Sequence, residues 1–256
     1  DMMRHYPSTL PGESRAYVGA NRNKRGMVID LKVRAGLAAF QRLVQKADVV
    51  LHNFPPGVAQ RVGVDYESLK QVNPRLVYCS LTAYGAAGPL AGNAGFDQVL
   101  QSLSGIAKAQ GAAEGEPQVV WGAVVDYYGA SLLAMAICGA LFRREKTGAG
   151  QEIDASLLRS ALAMQSGRMV WGQSEERDVD RDLRGGRLNG IHPAKEGHIY
   201  LQAPTDVLPR RLGHTLLDDP APGGQANAEP VPYDAVGQVQ GAIAAFGVRQ
   251  GGFTAR

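Results

Sequence analysis

Asp126 is set apart by its surroundings. No charged residue occurs in Trp121–Val125 before it, and none occurs from Gly129 to Phe142 after it. A single carboxylate at the mouth of an apolar helix has two uses. As an N-cap it accepts hydrogen bonds from free backbone N–H groups and gains from the helix dipole. As a nucleophile it attacks a carbonyl carbon, and a helix N-terminus favours the ionised form that such an attack requires. The local pattern alone favours the cap, and the two uses are compatible. Gly122, Gly129 and Ala130 nearby carry little or no side chain, so a ligand can approach the backbone closely there.

Other reactive groups are scattered. The histidines His5, His52, His192, His198 and His214 form no pair at metal-ligand spacing, so no metal site is expected. His52 ends an apolar run that reads as a strand, and active-site groups gather at such strand ends in open parallel sheets. The plainer reading is a half-buried strand histidine. No G-x-G-x-x-G links a strand to a helix, and no G-x-x-x-x-G-K-[ST] occurs. The Gly148-Ala149-Gly150 triplet follows a helix and precedes a strand, the reverse of a phosphate-binding loop. Nicotinamide or ATP chemistry of the usual kinds is therefore not expected.

Composition narrows the class further. The 256 residues are 45% hydrophobic and 20% charged, which suits a soluble globular protein with a full core. A net charge of +3 without a basic, aromatic-interleaved run argues against a nucleic-acid partner. Cys79 and Cys138 lie inside the apolar strings LVYCSL and AMAICGAL, as small buried thiols of a reducing compartment do. The longest apolar run looks too short for a bilayer, and no basic-then-apolar leader opens the chain. A cytoplasmic location with no membrane contact is expected.

The elements that must hold Asp126 alternate. Met27–Leu31 reads as a short strand, Arg34–Ala47 as a helix with Leu37, Phe40, Leu43, Val44 and Ala47 on one face, and Ala47–Phe54 as a second strand. A Pro-Pro-Gly breaker follows, then a partly helical stretch from Val58 to Val72 and a third strand at Arg75–Leu81. This order predicts an α/β fold, a Rossmann-like open parallel sheet with flanking helices and right-handed crossovers. Further helices are expected over Phe96–Ala109 and around Gly129–Phe142. The second of these, apolar or small on every face, is expected to be buried. It exits through Arg143, Arg144 and Lys146 into a glycine stop. A strand from Gln151 runs into a helix reaching Trp171, and His198–Pro204 is a last strand. The charged segment Ser174–Gly186 is expected to be exposed, and the chain beyond Asp218 lacks periodicity.

In order along the chain, several strings resemble the class III coenzyme A transferases, the formyl-CoA and carnitine-type group. They are NRNKRGMVIDLK (Asn21–Lys32), the stretch ADVVLHNFPPGVAQRVGVDYESLKQVNPRLVYCSLTAYG, GFDQVLQSLSG (Gly95–Gly105), and DYYGASLLA with REKTGAGQEID. The likeness covers Ala20 to about Pro204.

The resemblance implies transfer of coenzyme A from an acyl-CoA to a carboxylic acid, with Asp126 forming a mixed anhydride and then an aspartyl-CoA thioester. It places CoA contacts at Ile29, Asp30, Leu31 and Lys32, at Asn53, Phe54 and Pro55, at Arg61, and at Asn93, Ala94, Gly95 and Phe96. Lys32 and Arg61 suit the CoA phosphates, although either cation alone reads as a solvated surface charge. Asp97 falls where relatives carry an acidic residue near the active site, and by itself it reads as the N-cap of its own helix. No permanently bound cofactor and no metal are implied, and an interlocked homodimer is.

Departures from the family pattern matter too. Racemases of this superfamily carry a histidine where this chain has Phe96, which cannot move a proton. Transfer is thus favoured over a 2-methylacyl-CoA racemase or epimerase. The usual Glu before Asn-Phe is His52, and Pro55 follows the Phe. The family's opening strand–turn–helix unit and its later portion have no counterpart, so the chain reads as an incomplete copy, with an inactive CoA-binding fragment as a further alternative. Residues 1–172 are expected to form the large-domain core, 173–217 a linker and the start of a smaller domain, and 218–256 an irregular tail.

Overall fold

A computed structural model describes residues 2–9, 11–110, 115–170, 172–174, 190–193 and 198–201. The tail beyond Asp218 and nearly all of Ser174–Gly186 lie outside the described residues. In chain order the helices are α1 (Arg15–Ala20), α2 (Arg34–Val44), α3 (Val58–Arg61), α4 (Tyr66–Val72), α5 (Asp97–Leu103), α6 (Val124–Thr147) and α7 (Leu157–Ala163). The strands are β1 (Val49–His52), β2 (Val77–Thr82), β3 (Gln151–Ser156), β4 (Gly190–Pro193) and β5 (His198–Leu201). The chain forms two compact units, one of Asp1–Phe96 with Asp126–Ser160 and one of Asp97–Val125 with Ala161–Arg256.

The first unit is built on a parallel sheet in the order β1-β2-β3. The alternation of side chains along β2 and β3 assigns its two faces. Val77, Cys79, Leu81, Ile153 and Ala155 turn to one side and pack on Leu133, Ile137, Ala140 and Leu141 of α6. On the other side Tyr78 joins Val44, Ala59, Val64, Leu69 and Leu76, with Leu31, Leu37, Phe40 and Phe54 against them. Farther along that second face the strands carry polar residues. The expected α/β architecture with a parallel sheet is therefore present; α2, β1 and β3 fall within their expected spans, and β2 runs one residue past its own, to Thr82.

Met27–Leu31 is not a strand. It is extended, but Met27 and Val28 are exposed and no ladder forms beside them. A strand requires a neighbour for its N–H and C=O groups, and hydrophobicity alone does not provide one. The segment turns at Asp30 instead: the Asp30 carboxylate accepts the Lys32 N–H at 2.9 Å, and its carbonyl accepts the Val33 N–H at 3.3 Å. Gly36 permits this, since a Cβ there would lie 2.0 Å from the Asp30 carbonyl oxygen.

Helix α6 departs from expectation in two ways. Only a stripe is buried, comprising Val125, Gly129, Leu133, Ala140 and Arg144, while Tyr127, Met135 and Phe142 are largely exposed. An apolar surface all round does not itself supply a second covering layer. At 24 residues the helix is also long and apolar enough, by length and composition, to cross a membrane. The expectation that no segment reaches that length counted only residues between charges, whereas the helix extends past them at both ends. Gly129 is a packing glycine rather than an opening for ligand: a Cβ would meet the Ser160 hydroxyl at 3.1 Å.

The end of α6 is pinned to the sheet. The buried Arg144 guanidinium donates to the Asp48 carboxylate at 2.8 Å and to the carbonyls of Asp48 and Arg75. Gly148, at φ +72°, stops the helix by donating its N–H to the Arg144 carbonyl. Gly150 then lets β3 enter beside β2, because a Cβ would lie 2.0 Å from the Leu76 carbonyl oxygen.

In the second unit, α5 ends sooner than expected because Gly105 adopts φ +86°, and a 3-10 turn at Ala107–Ala109 replaces its last part. The helix expected to reach Trp171 stops at Ala163, and a 3-10 turn follows at Ser166–Arg168. Strand β5 is where it was expected, and it pairs antiparallel with β4. The short Gly190–Pro193 run showed no alternation to mark it as a strand.

Candidate active site

The Pro-Pro-Gly breaker after β1 makes one wall of a pocket of about 220 Å³ over the polar part of the sheet. Phe54, Pro55, Pro56 and Gly57 line it from the loop, His52, Tyr78, Ser80 and Thr82 from β1 and β2, and Glu152 and Asp154 from β3. Gly57 adopts φ +76°, a backbone conformation that favours glycine, and so starts α3 immediately after the prolines.

Burial dominates the electrostatics here. It pushes the Tyr78 phenol up to about 12 and holds His52 below its ordinary value. It also raises the Glu152 carboxyl, with Asp154 the next contributor. Burial acts upward on Asp65 as well, but hydrogen bonds from the Ser68 hydroxyl and N–H outweigh it, and this α4 N-cap lies below the usual carboxylate value. Asp154 is held by the Arg159 guanidinium at 3.0 Å and by the Ala86 N–H at 3.3 Å.

Several of the residues expected to contact CoA come together. Phe54 and Pro55 line the pocket, and Leu31 packs with Phe54 on the neighbouring apolar cluster. Ile29 and Asp30 lie against Gly36 at the start of α2. Arg61 folds back over the breaker, its guanidinium 3.3 Å from where a Gly57 Cβ would be. Asn53 and Lys32 are exposed. Asn93, Ala94, Gly95 and Phe96 follow the loop whose Ala86 and Ala91 border the pocket, but they do not line it. Phe96 is 72% exposed.

Asp126 lies in the first turn of α6, and the residue is exposed. It does not line the pocket beside Phe54. Asp97 is buried, and its carboxylate reaches beyond the start of its own helix. Its carboxylate accepts the Val125 N–H at 2.7 Å and the Gln101 side-chain amide at 2.5 Å, while Gln101 also bonds the Val120 backbone. It therefore satisfies a free N–H at the start of α6. A carboxylate in the first helical position suggested a local cap, and only the fold reveals the distant partner.

Tyr78, Ser80, Thr82, Glu152 and Asp154 were not singled out from the sequence. Their signal was available: polar side chains alternate with Val77, Cys79 and Leu81, and with Ile153 and Ala155, which marks one face of a sheet as polar. Among the described residues no group of three or more His, Cys, Asp or Glu is arranged to hold a metal ion.

Comparison with known proteins places the chain. It is 39% identical over 211 residues to the acetyl-CoA:oxalate CoA-transferase of Acetobacter aceti, covering 81% of this chain and 50% of that one. It is 42% identical over 142 residues to the succinate–glutarate CoA-transferase of Agrobacterium fabrum, covering 56% of this chain and 36% of that one. The chain thus spans half or less of the length of these relatives. A CAIB/BAIF family protein from Brucella suis has a similar structure, with a TM-score of 0.75 and 28% identity over 95% of this chain and 68% of the other. The pattern of CoA-transferase family III matches residues 1–247, and the chain belongs to that family.

Proposed function

We propose that the protein moves coenzyme A from an acyl-CoA to a free carboxylic acid through Asp126. The observation that carries this is an exposed aspartate in the first turn of α6, in a chain of this family. An Asp126 oxygen attacks the thioester carbonyl, the C–S bond breaks, and the electron pair leaves as CoA thiolate. The thiolate attacks the Asp126 carbonyl of the resulting anhydride, releasing the first acid and leaving an aspartyl-CoA thioester. The incoming carboxylate displaces the thiolate to form a second anhydride. Thiolate attack on the new acyl carbon frees Asp126 and the product. Each step exchanges one activated acyl bond for another, so no ATP is consumed. Backbone N–H groups at the helix start suit the developing oxyanions.

Lys32 and Arg61 are the proposed phosphate contacts, with Ile29, Asp30, Leu31, Asn53, Phe54, Pro55 and Asn93–Phe96 on the rest of the CoA. The names of the two relatives support a short acyl donor and a dicarboxylic acceptor. Phe96 stands against the racemase alternative, since a phenyl ring transfers no proton. The remaining parts of the proposal are a homodimer, a cytoplasmic location and a core ending near residue 172. The exposed apolar face of α6 supports the first, and the second is supported by two free thiols, Cys79 buried as expected and Cys138 exposed against expectation. The packing of α6 on a parallel sheet supports a core helix, away from any membrane. The test is incubation with acetyl-CoA and ¹³C-labelled oxalate or glutarate. Formation of labelled dicarboxyl-CoA with release of acetate is expected. Hydrolysis alone, or no product with any acid, contradicts the proposal.

A further inference from the structure

The two ring nitrogens of His52 have separate partners. Nδ1 lies 3.1 Å from the Phe54 backbone nitrogen, and Nε2 lies 2.7 Å from the Tyr78 hydroxyl oxygen. A backbone N–H can only donate, so Nδ1 must be bare, and in a neutral ring the proton resides on Nε2. Nε2 then donates to Tyr78. The imidazole also stacks on the Phe54 ring, with centroids 4.9 Å apart and planes 23° apart. The bond from the Phe54 N–H to a side chain two residues earlier has the connectivity of an Asx-turn, which commonly fixes a chain reversal.

We propose that neutral His52 is a positioning residue that sets the Asn53–Gly57 turn, and through it the affinity for the CoA moiety. This rests on the CoA-transferase reading of Phe54 and Pro55. Protonation puts a hydrogen on Nδ1, which can then no longer accept from Phe54, and the turn loses its anchor. Burial favours the neutral ring and delays this loss to acid below the ordinary histidine range. The other titratable groups facing the pocket are Asp65, Tyr66, Tyr78, Glu152 and Asp154, the last paired with Arg159. Of the carboxylates, Glu152 is the one shifted upward, so it is the group whose titration must be separated from that of His52.

The test joins two measurements on the full chain. ¹⁵N NMR of the free protein reads the ring tautomer, and calorimetric titration with CoA from about pH 5 to 8 reads affinity. The expected tautomer has bare Nδ1, and CoA affinity should fall in acid as that nitrogen protonates. His52→Phe keeps the stacking but lacks the acceptor, and should bind CoA about tenfold more weakly across the range. His52→Asn supplies an acceptor for the same N–H and should restore affinity with little pH dependence. Glu152→Gln should keep the native pH profile. A protonated Nδ1 at neutral pH, pH-independent CoA binding, or an unaltered pH profile in His52→Asn overturns the role of His52 while leaving CoA binding intact. No CoA binding at any pH, with the tautomer as expected, overturns the CoA reading itself and the positioning role with it.

Discussion

A nucleophilic aspartate and a capping aspartate respond differently to the same substitution. Asp126 is the third residue of α6, inside the first turn rather than at the N-cap, so asparagine keeps its size and gives up only a surface charge–dipole attraction, but its amide does not form an anhydride with a thioester. Asp126→Asn should therefore keep the native melting temperature and lose transfer activity by about 10⁴-fold or more, measured as kcat for CoA exchange. A variant that is destabilised yet active would make Asp126 a cap alone. Arg61→Ala should raise KM for acyl-CoA severalfold with kcat nearly unchanged, and added salt should shrink the difference, as expected for an exposed phosphate contact. The sequence made Asp126 legible because an isolated carboxylate beside an apolar run is a local pattern. It hid the partners of Asp97 and His52, whose hydrogen bonds to Val125 and Tyr78 join residues 28 and 26 positions apart.

Glycines set how closely the elements approach one another, and they can be tested as a set. Gly36→Ala should destabilise the fold by about 1–3 kcal/mol in chemical denaturation, because the new methyl group collides with the Asp30 carbonyl and the backbone must move. Gly139→Ala on the exposed side of α6 meets nothing within 4 Å and should stabilise by about 0.5–1 kcal/mol through helix propensity. Leu69→Ala, at the fully buried residue of α4, should cost about 2–5 kcal/mol. Strands β1, β2 and β3 were legible because apolar runs bounded by breakers are local signals. Met27–Leu31 carries the same signal and still forms no strand, since pairing depends on a neighbour that periodicity does not register. The helix ends at Gly105 and Ala163 were missed for a related reason: apolar spacing continued past residues whose backbone had already turned.

For the molecule as a whole, membership in CoA-transferase family III and a parallel sheet packed against α6 make Asp126 chemistry the central claim. The chain covers half or less of the length of the two CoA-transferases compared with it, so the direct test asks for one bond rather than full turnover. Incubation with acetyl-CoA followed by hydroxylamine and peptide mass spectrometry reports that bond. The account predicts a hydroxamate on Asp126 that requires acetyl-CoA and disappears in Asp126→Asn. An acyl-CoA-dependent adduct on another residue, or none on Asp126 while CoA is demonstrably bound, would contradict it.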